Sequence, residues 1–278
     1  MRNRSRSTFA LWVGAILIGL VIASALLSFA WTPFDPLHAI PADRLQGPNA
    51  RHWLGTDRYG RDVLSQLMVG SRITLAVGCC AVALALVAGT ALGVWGGMRR
   101  GLVDKAVTRL TDTLLAFPAL LLAIVTGAVF GAQTATAVLA IGIAYIPVFA
   151  RVTRAGTLRV MAQDFVDAAR ISRLSEWRIA LRHVLPNISG LIIVQASVTF
   201  ALAILAEAAL SFLGLGTAPP NPSWGRMLQG AQAQLWTNPE LALWPGLAIA
   251  CAVLGFNLLG DGLRDRLDPK NLTGRSPR

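Results

Sequence analysis

Residues 113–150 read TLLAFPALLLAIVTGAVFGAQTATAVLAIGIAYIPVFA and contain no charged side chain. A helix needs roughly 20 apolar residues to cross a hydrocarbon core about 30 Å thick. These 38 residues are therefore too many for one crossing and enough for two. The segment Gly131-Ala132-Gln133-Thr134 lies near the middle and is typical of a tight turn. The stretch predicts two membrane-spanning helices joined by that turn.

Four more uncharged stretches are long enough to span a membrane: Ser7–Phe34, Ile73–Met98, Val184–Ala206 and Leu241–Gly260. Hydrophobic residues make up 54% of the 278 residues and charged residues only 14%, whereas a soluble domain carries about 25% charged residues. The sequence therefore predicts an all-α integral membrane protein with six transmembrane helices.

The first apolar stretch has an alternative interpretation as a secretory signal, because Arg2, Arg4 and Arg6 precede it. The run is too long for a signal core, and no clear small-x-small cleavage site precedes Trp31. These features favour a permanent membrane anchor.

The basic residues predict the orientation in the membrane. Of the 25 Lys and Arg residues, 19 lie in four segments that six crossings place on one face, namely the N-terminal arm, 99–109, 151–183 and the residues after Gly260. Because Lys and Arg accumulate in cytoplasmic loops, both termini are expected to be cytoplasmic. This topology explains the net charge of +11 without a nucleic-acid partner, and the basic face suits anionic membrane lipid.

Catalytic and metal-binding motifs are absent from the sequence. A phosphate-binding loop needs a Gly-Lys-Ser/Thr run, but the two lysines, Lys105 and Lys270, follow Asp104 and Pro269. The cysteines Cys79, Cys80 and Cys251 fall within predicted spans, without the spacing of a zinc or redox site. We therefore expect a non-catalytic protein that binds no cofactor itself and takes its energy from another subunit.

The segment 151–183 forms a long predicted cytoplasmic loop with a helical pattern. Phe165, Ala168, Ala169 and Ser172 recur at i, i+3, i+4 and i+7, which is the signature of one helical face. That face is unusually small, and small side chains allow another surface to approach closely. The pattern is compatible with an amphipathic helix lying on lipid and equally with a docking helix for a cytoplasmic partner.

Several motifs, in order from about residue 52 to 269, resemble the permeases of binding-protein-dependent ABC importers. Asp167-Ala168-Ala169 and the later His183-Val184-Leu185-Pro186-Asn187 resemble the family's cytoplasmic loop signature. The closest resemblance is to the dipeptide, oligopeptide and nickel importers. The blocks that carry it are HWLGTD at 52–57, GRDVLS at 60–65, EAALSFLGLG at 207–216, PP at 219–220, SWG at 223–225, NLLGDGLRD at 257–265 and LDP at 267–269.

The resemblance implies a type I ABC importer permease fold in a bacterial cytoplasmic membrane, with a cytoplasmic coupling helix that contacts an ATPase. The residues expected to make this contact are Asp167, Ala168, Ala169, Ser172 and Arg173, with Pro186 ending the loop. The implied partners are a homologous second permease, two ATP-binding subunits that hold ATP and Mg, and an external solute-binding protein. Transport would proceed by alternating access.

These implications divide the chain into three parts. Residues 1–72 are expected to form an N-terminal anchor helix and an external loop. Residues 73–262 are expected to form a core of five transmembrane helices that includes the coupling loop 151–183. Residues 263–278 are expected to form a cytoplasmic tail.

Two residues of the loop depart from the family pattern. Asp167 stands where the family normally has Glu, which keeps the charge on a shorter stem. Arg173 stands where the family normally has Gly. A glycine at such a position permits a left-handed turn between two short helices. Either the turn differs in this chain, or a contact with a partner compensates for the arginine.

Glu207 is the one acidic residue near the interior of a predicted span, and ionisable groups at membrane depth are functional candidates. It has three interpretations: a residue at the membrane interface, a helix-packing hydrogen bond and a substrate contact. The two structural interpretations are favoured, because the resemblance implies that an acid here is ordinary for the family. The expected substrates are peptides, with nickel, metal chelates or glutathione as alternatives. A self-sufficient secondary transporter is disfavoured, because the span interiors lack charged relays.

Overall fold

The computed structural model describes residues 2–267, which contain ten α-helices and no β-strand. The helices are α1 (Arg2–Ala30), α2 (Val63–Met98), α3 (Leu102–Ala116), α4 (Ala119–Phe130), α5 (Thr134–Met161), α6 (Asp164–Ile171), α7 (Glu176–Ile179), α8 (Leu185–Phe212), α9 (Trp224–Ala231) and α10 (Glu240–Leu267). A π-helical turn, Ala180–Val184, joins α7 to α8. Short 3₁₀ turns lie at Pro41–Asp43 and Gln232–Gln234.

Five helical stretches are long and apolar enough to cross a membrane: α1, α2, α5, the continuous α7–α8 stretch and α10. The pair α3 and α4 passes the same test together, although it is bent by 80°. Counted as one span, the pair brings the number of crossings to the six predicted. The predicted turn is also present, because Gly131 has φ +87° and Gln133 caps α5.

The α3–α4 pair runs from one side of the helix bundle to the other. At its start, Asp104 accepts a hydrogen bond from Arg154 (2.8 Å) near the carboxyl end of α5. Near its end, Gly127 lies against Leu215, just beyond the carboxyl end of α8. Because α5 and the continuous α7–α8 stretch are successive spans, these two ends lie on opposite sides. The bend falls at Phe117-Pro118, where proline has no N–H and forces an extended backbone on Phe117.

The expected division of the chain remains a prediction, and two helices run through its boundaries. Residues predicted as the end of the external loop form the first turns of α2, which begins at Val63 and continues past residue 73. α10 continues to Leu267, so the first residues of the predicted tail are helical. The rest of that tail, 268–278, lies outside the described residues.

The centre of the bundle is the seam between α2 and α5. Gly89, Gly93 and Gly97 repeat at every fourth position of α2, on one face of the helix. Gly93 packs directly on Ala150 and Thr153 of α5, so closely that a β-carbon would overlap both residues. Glycine is required here because the two backbones approach without an intervening side chain.

The external segment between α1 and α2 is a compact cap fixed by its own polar groups. His52 is buried, and its Nδ1 lies 3.0 Å from Asp62 Oδ1. Asp62 also caps α2 by accepting from the Ser65 backbone N–H (2.8 Å). Ser65 Oγ in turn accepts from the Phe34 N–H (3.0 Å). The residues of this sequence motif therefore hold the cap on the first turn of α2.

Candidate functional site

The short helix α6 lies between two spans and is joined to both by its inner face. Its residues Val166 and Ala169 are 0% and 5% exposed. They belong to a buried cluster built from the ends of α2, α5, α7 and α8: Val94, Val160, Met161, Ile179, Ala180, Val184 and Ile188. The inner face of α6 is therefore packed in the same buried cluster as the ends of three long helices, α2, α5 and α8.

The outer face of α6 carries only part of the predicted set. Phe165, Asp167, Ala168 and Ser172 are exposed. Ala169 is not, because it packs inside the cluster just described. The prediction of one outward face through Ala168 and Ala169 is therefore wrong for Ala169. A small apolar residue gives the same periodic signal whether it faces the protein's own core or another surface.

Sequence reasoning missed the most exposed apolar side chain of α6. Ile171 is 84% exposed, and Trp177 at the start of α7 is 72% exposed. Ile171 follows the buried Val166 by five positions, which is about 140° around a helix. That offset was the available signal that Ile171 points away from the core. Phe165 is 43% exposed, and we refer to these three exposed apolar side chains together as the outer patch (Phe165, Ile171, Trp177).

Arg173 adopts the left-handed conformation that the family's glycine would favour, with φ +55°. The N–H of Arg173 donates to the Arg170 carbonyl (2.9 Å), and the N–H of Leu174 donates to the Ala169 carbonyl (3.1 Å). This pair of bonds is a Schellman motif, which closes the carboxyl end of a helix. The predicted turn is therefore present with arginine in the glycine position.

The charges around α6 are arranged so that Arg173 remains available. Arg170 lies between Asp167 (3.8 Å) and Glu176 (3.4 Å), and so links α6 to α7. Arg173 is exposed and forms no ion pair within residues 2–267. Its guanidinium is the free cation nearest to the exposed Ala168 and Ser172 along the chain.

Pro186 lies where the loop passes into α8, as predicted, but the helix does not break there. The N–H of Leu185 donates to the Ala180 carbonyl, five residues back. This wider π turn accommodates a proline that has no N–H for the regular ladder. The chain therefore runs as one helical stretch from Glu176 to Phe212.

Glu207 is fully buried on α8 and is held by hydroxyl groups from three parts of the chain. Its Oε1 accepts from Ser211 Oγ (2.7 Å) and Thr217 Oγ1 (3.4 Å), and its Oε2 accepts from Thr74 Oγ1 (3.3 Å). Thr74 belongs to α2, and Thr217 belongs to the segment after α8. The carboxylate thus links α2, α8 and the segment between α8 and α9, which favours packing over substrate contact.

Known proteins resemble this chain over most of its length. Residues 89–272 match the family described as binding-protein-dependent transport system inner membrane component. A dipeptide transport system permease protein from Alkalihalophilus pseudofirmus is 42% identical over 258 residues, which cover 93% of this chain and 85% of that protein. A glutathione transport system permease protein from Pectobacterium atrosepticum is 43% identical over 252 residues, covering 90% and 84%.

One solved structure extends the comparison to the fold. The MetNI methionine ABC transporter, in inward-facing conformations, includes a chain that aligns with a TM-score of 0.58 at 17% identity. The alignment covers 70% of this chain and 93% of that one. At this identity the likeness concerns the helical architecture alone.

Proposed function

We propose a function for this chain on the basis of its family. The chain belongs to the family of binding-protein-dependent transport system inner membrane components. It is the permease subunit of an ABC importer, a multi-pass protein of the inner membrane with the type I importer fold. The resemblance predicted from the sequence is thereby confirmed. Importers of this family work with an ATPase and a binding protein.

For the substrate we propose peptides. The relatives that cover most of the chain are named for dipeptide and for glutathione transport. Both solutes are short, flexible and carry free carboxylates, so one kind of recognition serves both. Import of glutathione is the second candidate, favoured by the 43% identity to a permease of that name.

For the energy source we propose two partner ATP-binding subunits, which hold ATP and Mg and hydrolyse the nucleotide, while this chain catalyses nothing. A homologous second permease completes the membrane part, and an external solute-binding protein delivers the substrate. The outer face of α6, with Asp167, Ala168, Ser172, Arg173 and the outer patch, is the proposed ATPase contact. Both termini are proposed to lie in the cytoplasm, on the same side as α6.

The observation that supports this proposal is the division of α6 into two faces. Its inner face is buried against the ends of α2, α5 and α8, whereas its outer face presents exposed apolar and small residues. Closure of two ATPase subunits would displace α6, and the buried contacts would carry that displacement into the spans. Such a movement drives alternating access from outside the membrane.

The test is substitution of Ala168 by arginine in the assembled transporter. Because Ala168 is exposed and a close contact is proposed there, Ala168→Arg should weaken ATPase retention by about 2 kcal/mol, or about 30-fold. Membrane insertion and the unfolding temperature should not change. Substrate-stimulated ATP hydrolysis of the purified complex is the measurement.

Two further variants serve as controls. Ala168→Ser keeps a small side chain and should retain stimulated hydrolysis. Ala169→Arg should instead lower the unfolding temperature of the permease alone, because it forces a charge into the buried cluster. Full stimulation in Ala168→Arg would contradict the docking assignment.

A further inference from the structure

A cavity of about 400 Å³ opens between the external cap and α9, near the outer ends of α2 and α10. Three arginines line it, Arg58, Arg61 and Arg226, with a single acidic residue, Asp57. The volume falls within the range of small-ligand sites, roughly 300–1,000 Å³. Within the permease chain this is a concentration of positive charge that the coupling function does not use.

The single carboxylate that lines the cavity is already paired with other side chains of the protein. Asp57 Oδ2 lies 2.7 Å from Arg61 Nη2 and also accepts from Gln66 Nε2 (3.1 Å). Throughout residues 2–267, no carboxylate forms an ion pair with Arg58 or Arg226. Two guanidinium groups therefore remain uncompensated at the cavity.

Most of the hydrogen-bonding capacity of these two guanidiniums is also unused. Arg58 Nε is buried without a hydrogen-bond partner, and its guanidinium stacks over the Tyr59 ring at 4.7 Å from the centroid. Arg226 makes one long bond, from Nη1 to the Thr217 carbonyl at 3.5 Å. The Nη groups of Arg58 form no hydrogen bond within residues 2–267, so these donors are left for an anion in the cavity.

The electrostatic environment of Arg226 also favours the binding of an anion. Burial lowers the pKa of Arg226 below its usual range, and the positive charges of Arg61 and Arg58 lower it further. Arg226 remains charged at neutral pH, so the mutual repulsion of the three guanidiniums persists in the empty cavity. An anion placed among them would turn this repulsion into attraction.

The wall that carries Arg226 is fixed before any ligand arrives. Ser223 caps α9 by accepting from the Arg226 N–H (3.3 Å), and Trp224 Nε1 donates to the Leu67 carbonyl on α2 (3.0 Å). Gly225 packs directly on the backbone of Ala208 in α8, next to Glu207. Thr217, which accepts from Arg226, donates to Glu207 from its hydroxyl. The arginine is thus held in place by the buried Glu207 network.

We propose that this cavity is a carboxylate-binding site for the transported solute, with Arg226 and Arg58 as the charged donors. It rests on the proposed function, since a peptide presents its C-terminal carboxylate to the outer face of the permease. A planar guanidinium binds a carboxylate through two parallel hydrogen bonds. The site would select anionic solutes as they enter from outside.

The test uses the full chain in lipid nanodiscs, with L-alanyl-L-alanine and its C-terminal amide as probes and saturation-transfer NMR as the readout. The dipeptide should bind the unmodified chain more tightly than the amide. Arg226→Gln should weaken dipeptide binding about tenfold or more and leave the amide unaffected. Arg226→Lys, which keeps the charge, should retain part of the affinity.

Arg51→Gln is the matched control, because Arg51 is an external arginine with 62% of its side chain exposed and does not line the cavity. An unchanged unfolding temperature of each variant excludes misfolding. Equal binding of dipeptide and amide, absence of binding, or dipeptide binding that is insensitive to Arg226→Gln would overturn the proposal. The proposal would also be overturned if the unmodified chain bound no dipeptide while Arg226→Gln lost its binding protein. That result would assign the arginines to a contact with the binding protein.

Acetate as a probe distinguishes failure of the carboxylate site from failure of the proposed peptide function. Acetate carries the carboxylate without being a peptide, so it should compete with the dipeptide at the unmodified site. If acetate binds in an Arg226-dependent manner while cells with the assembled transporter take up no dipeptide, the peptide function fails and the carboxylate site stands. If dipeptide is taken up at the same rate and affinity in Arg226→Gln, the peptide function stands and the site fails.

Discussion

Two helices of this protein end in the same backbone motif with different residues in the left-handed position. Gly214 (φ +79°) lies two residues after the last residue of α8, and Arg173 (φ +55°) lies two residues after the last residue of α6. In both, successive N–H groups donate to carbonyls three and five residues back. Glycine adopts this conformation freely, whereas a residue with a β-carbon does so at a cost of about 1 kcal/mol. The arginine is therefore strained in the isolated permease, and a compensating contact is expected.

We predict opposite effects of Arg173→Gly on the isolated permease and on its complex. The unfolding temperature of the permease alone should rise, because about 1 kcal/mol of strain is removed. ATPase retention should fall, because a charge-assisted hydrogen bond contributes about 1.5–3 kcal/mol. The loss should be larger at low salt, since screening already weakens the native pair at high ionic strength. Retention of the ATPases on detergent-purified permease across a salt series measures this effect.

Arg173→Lys and Arg173→Asn separate charge from conformation. Lysine keeps the charge and the strain, whereas asparagine removes the charge and tolerates the left-handed conformation. If Arg173→Gly retains the ATPases as well as the unmodified chain at every salt concentration, the arginine makes no contact and only fills the turn.

At the scale of elements, the seam between α2 and α5 connects the cap at the start of α2 to the buried cluster that holds α6. α2 begins under the cap at Asp62 and ends beside the buried cluster that holds α6. Close glycine packing lets helices associate without a hydrophobic driving force between them. The seam is therefore the stiff connection between the two faces of the membrane.

We predict that Gly93→Ala destabilises this seam. The new methyl group would overlap the Thr153 hydroxyl and the Ala150 carbonyl, so the helices must separate. Overpacking of this kind costs about 1–3 kcal/mol, and the thermal unfolding midpoint in detergent should fall accordingly. Gly19→Ala is the control, because a β-carbon at Gly19 meets nothing within 4 Å. A midpoint for Gly93→Ala equal to that of Gly19→Ala would contradict close packing at this seam.

The elements were predictable from the sequence to different degrees. Hydropathy predicted the spans and the turn after Gly131, because the membrane imposes length and polarity on every crossing. It could not predict the 80° bend at Pro118, since neighbouring helices decide whether a proline in a span kinks it. The inward position of Ala169 could not be predicted from the sequence either, because it depends on which helices α6 packs against.

At the scale of the whole molecule, positive charge is strongly asymmetric between the two predicted faces. Arg58, Arg61 and Arg226 are three of the six basic residues outside the four predicted cytoplasmic segments, yet they converge on one cavity. The sequence predicted that they share a face but not that they meet, because 165 residues separate Arg61 from Arg226. Only the folding of α9 onto α2 and α8 brings them together.

The topology predicts which positions react with a membrane-impermeant thiol reagent. In a background with Cys79, Cys80 and Cys251 replaced by alanine, a cysteine at Ser172 should react only from the cytoplasmic side. Cysteines at Gly47 and Ala233, both exposed in the external segments, should react only from outside. Labelling is measured in intact cells and in inverted vesicles. Reaction of the Ser172 position from outside would contradict the six-span arrangement.

The pairing of α1 with α10 has a consequence for biosynthesis. Gly14 of α1 packs directly on the backbone of Gly255 and Leu259, and Gly262 packs on Leu11. The ribosome makes α1 more than 200 residues before this surface of α10 exists. During that interval Gly14 has no α10 backbone to pack against. Closure of the bundle is therefore a late step, and a chain whose synthesis stops before α10 would leave α1 without this packing surface.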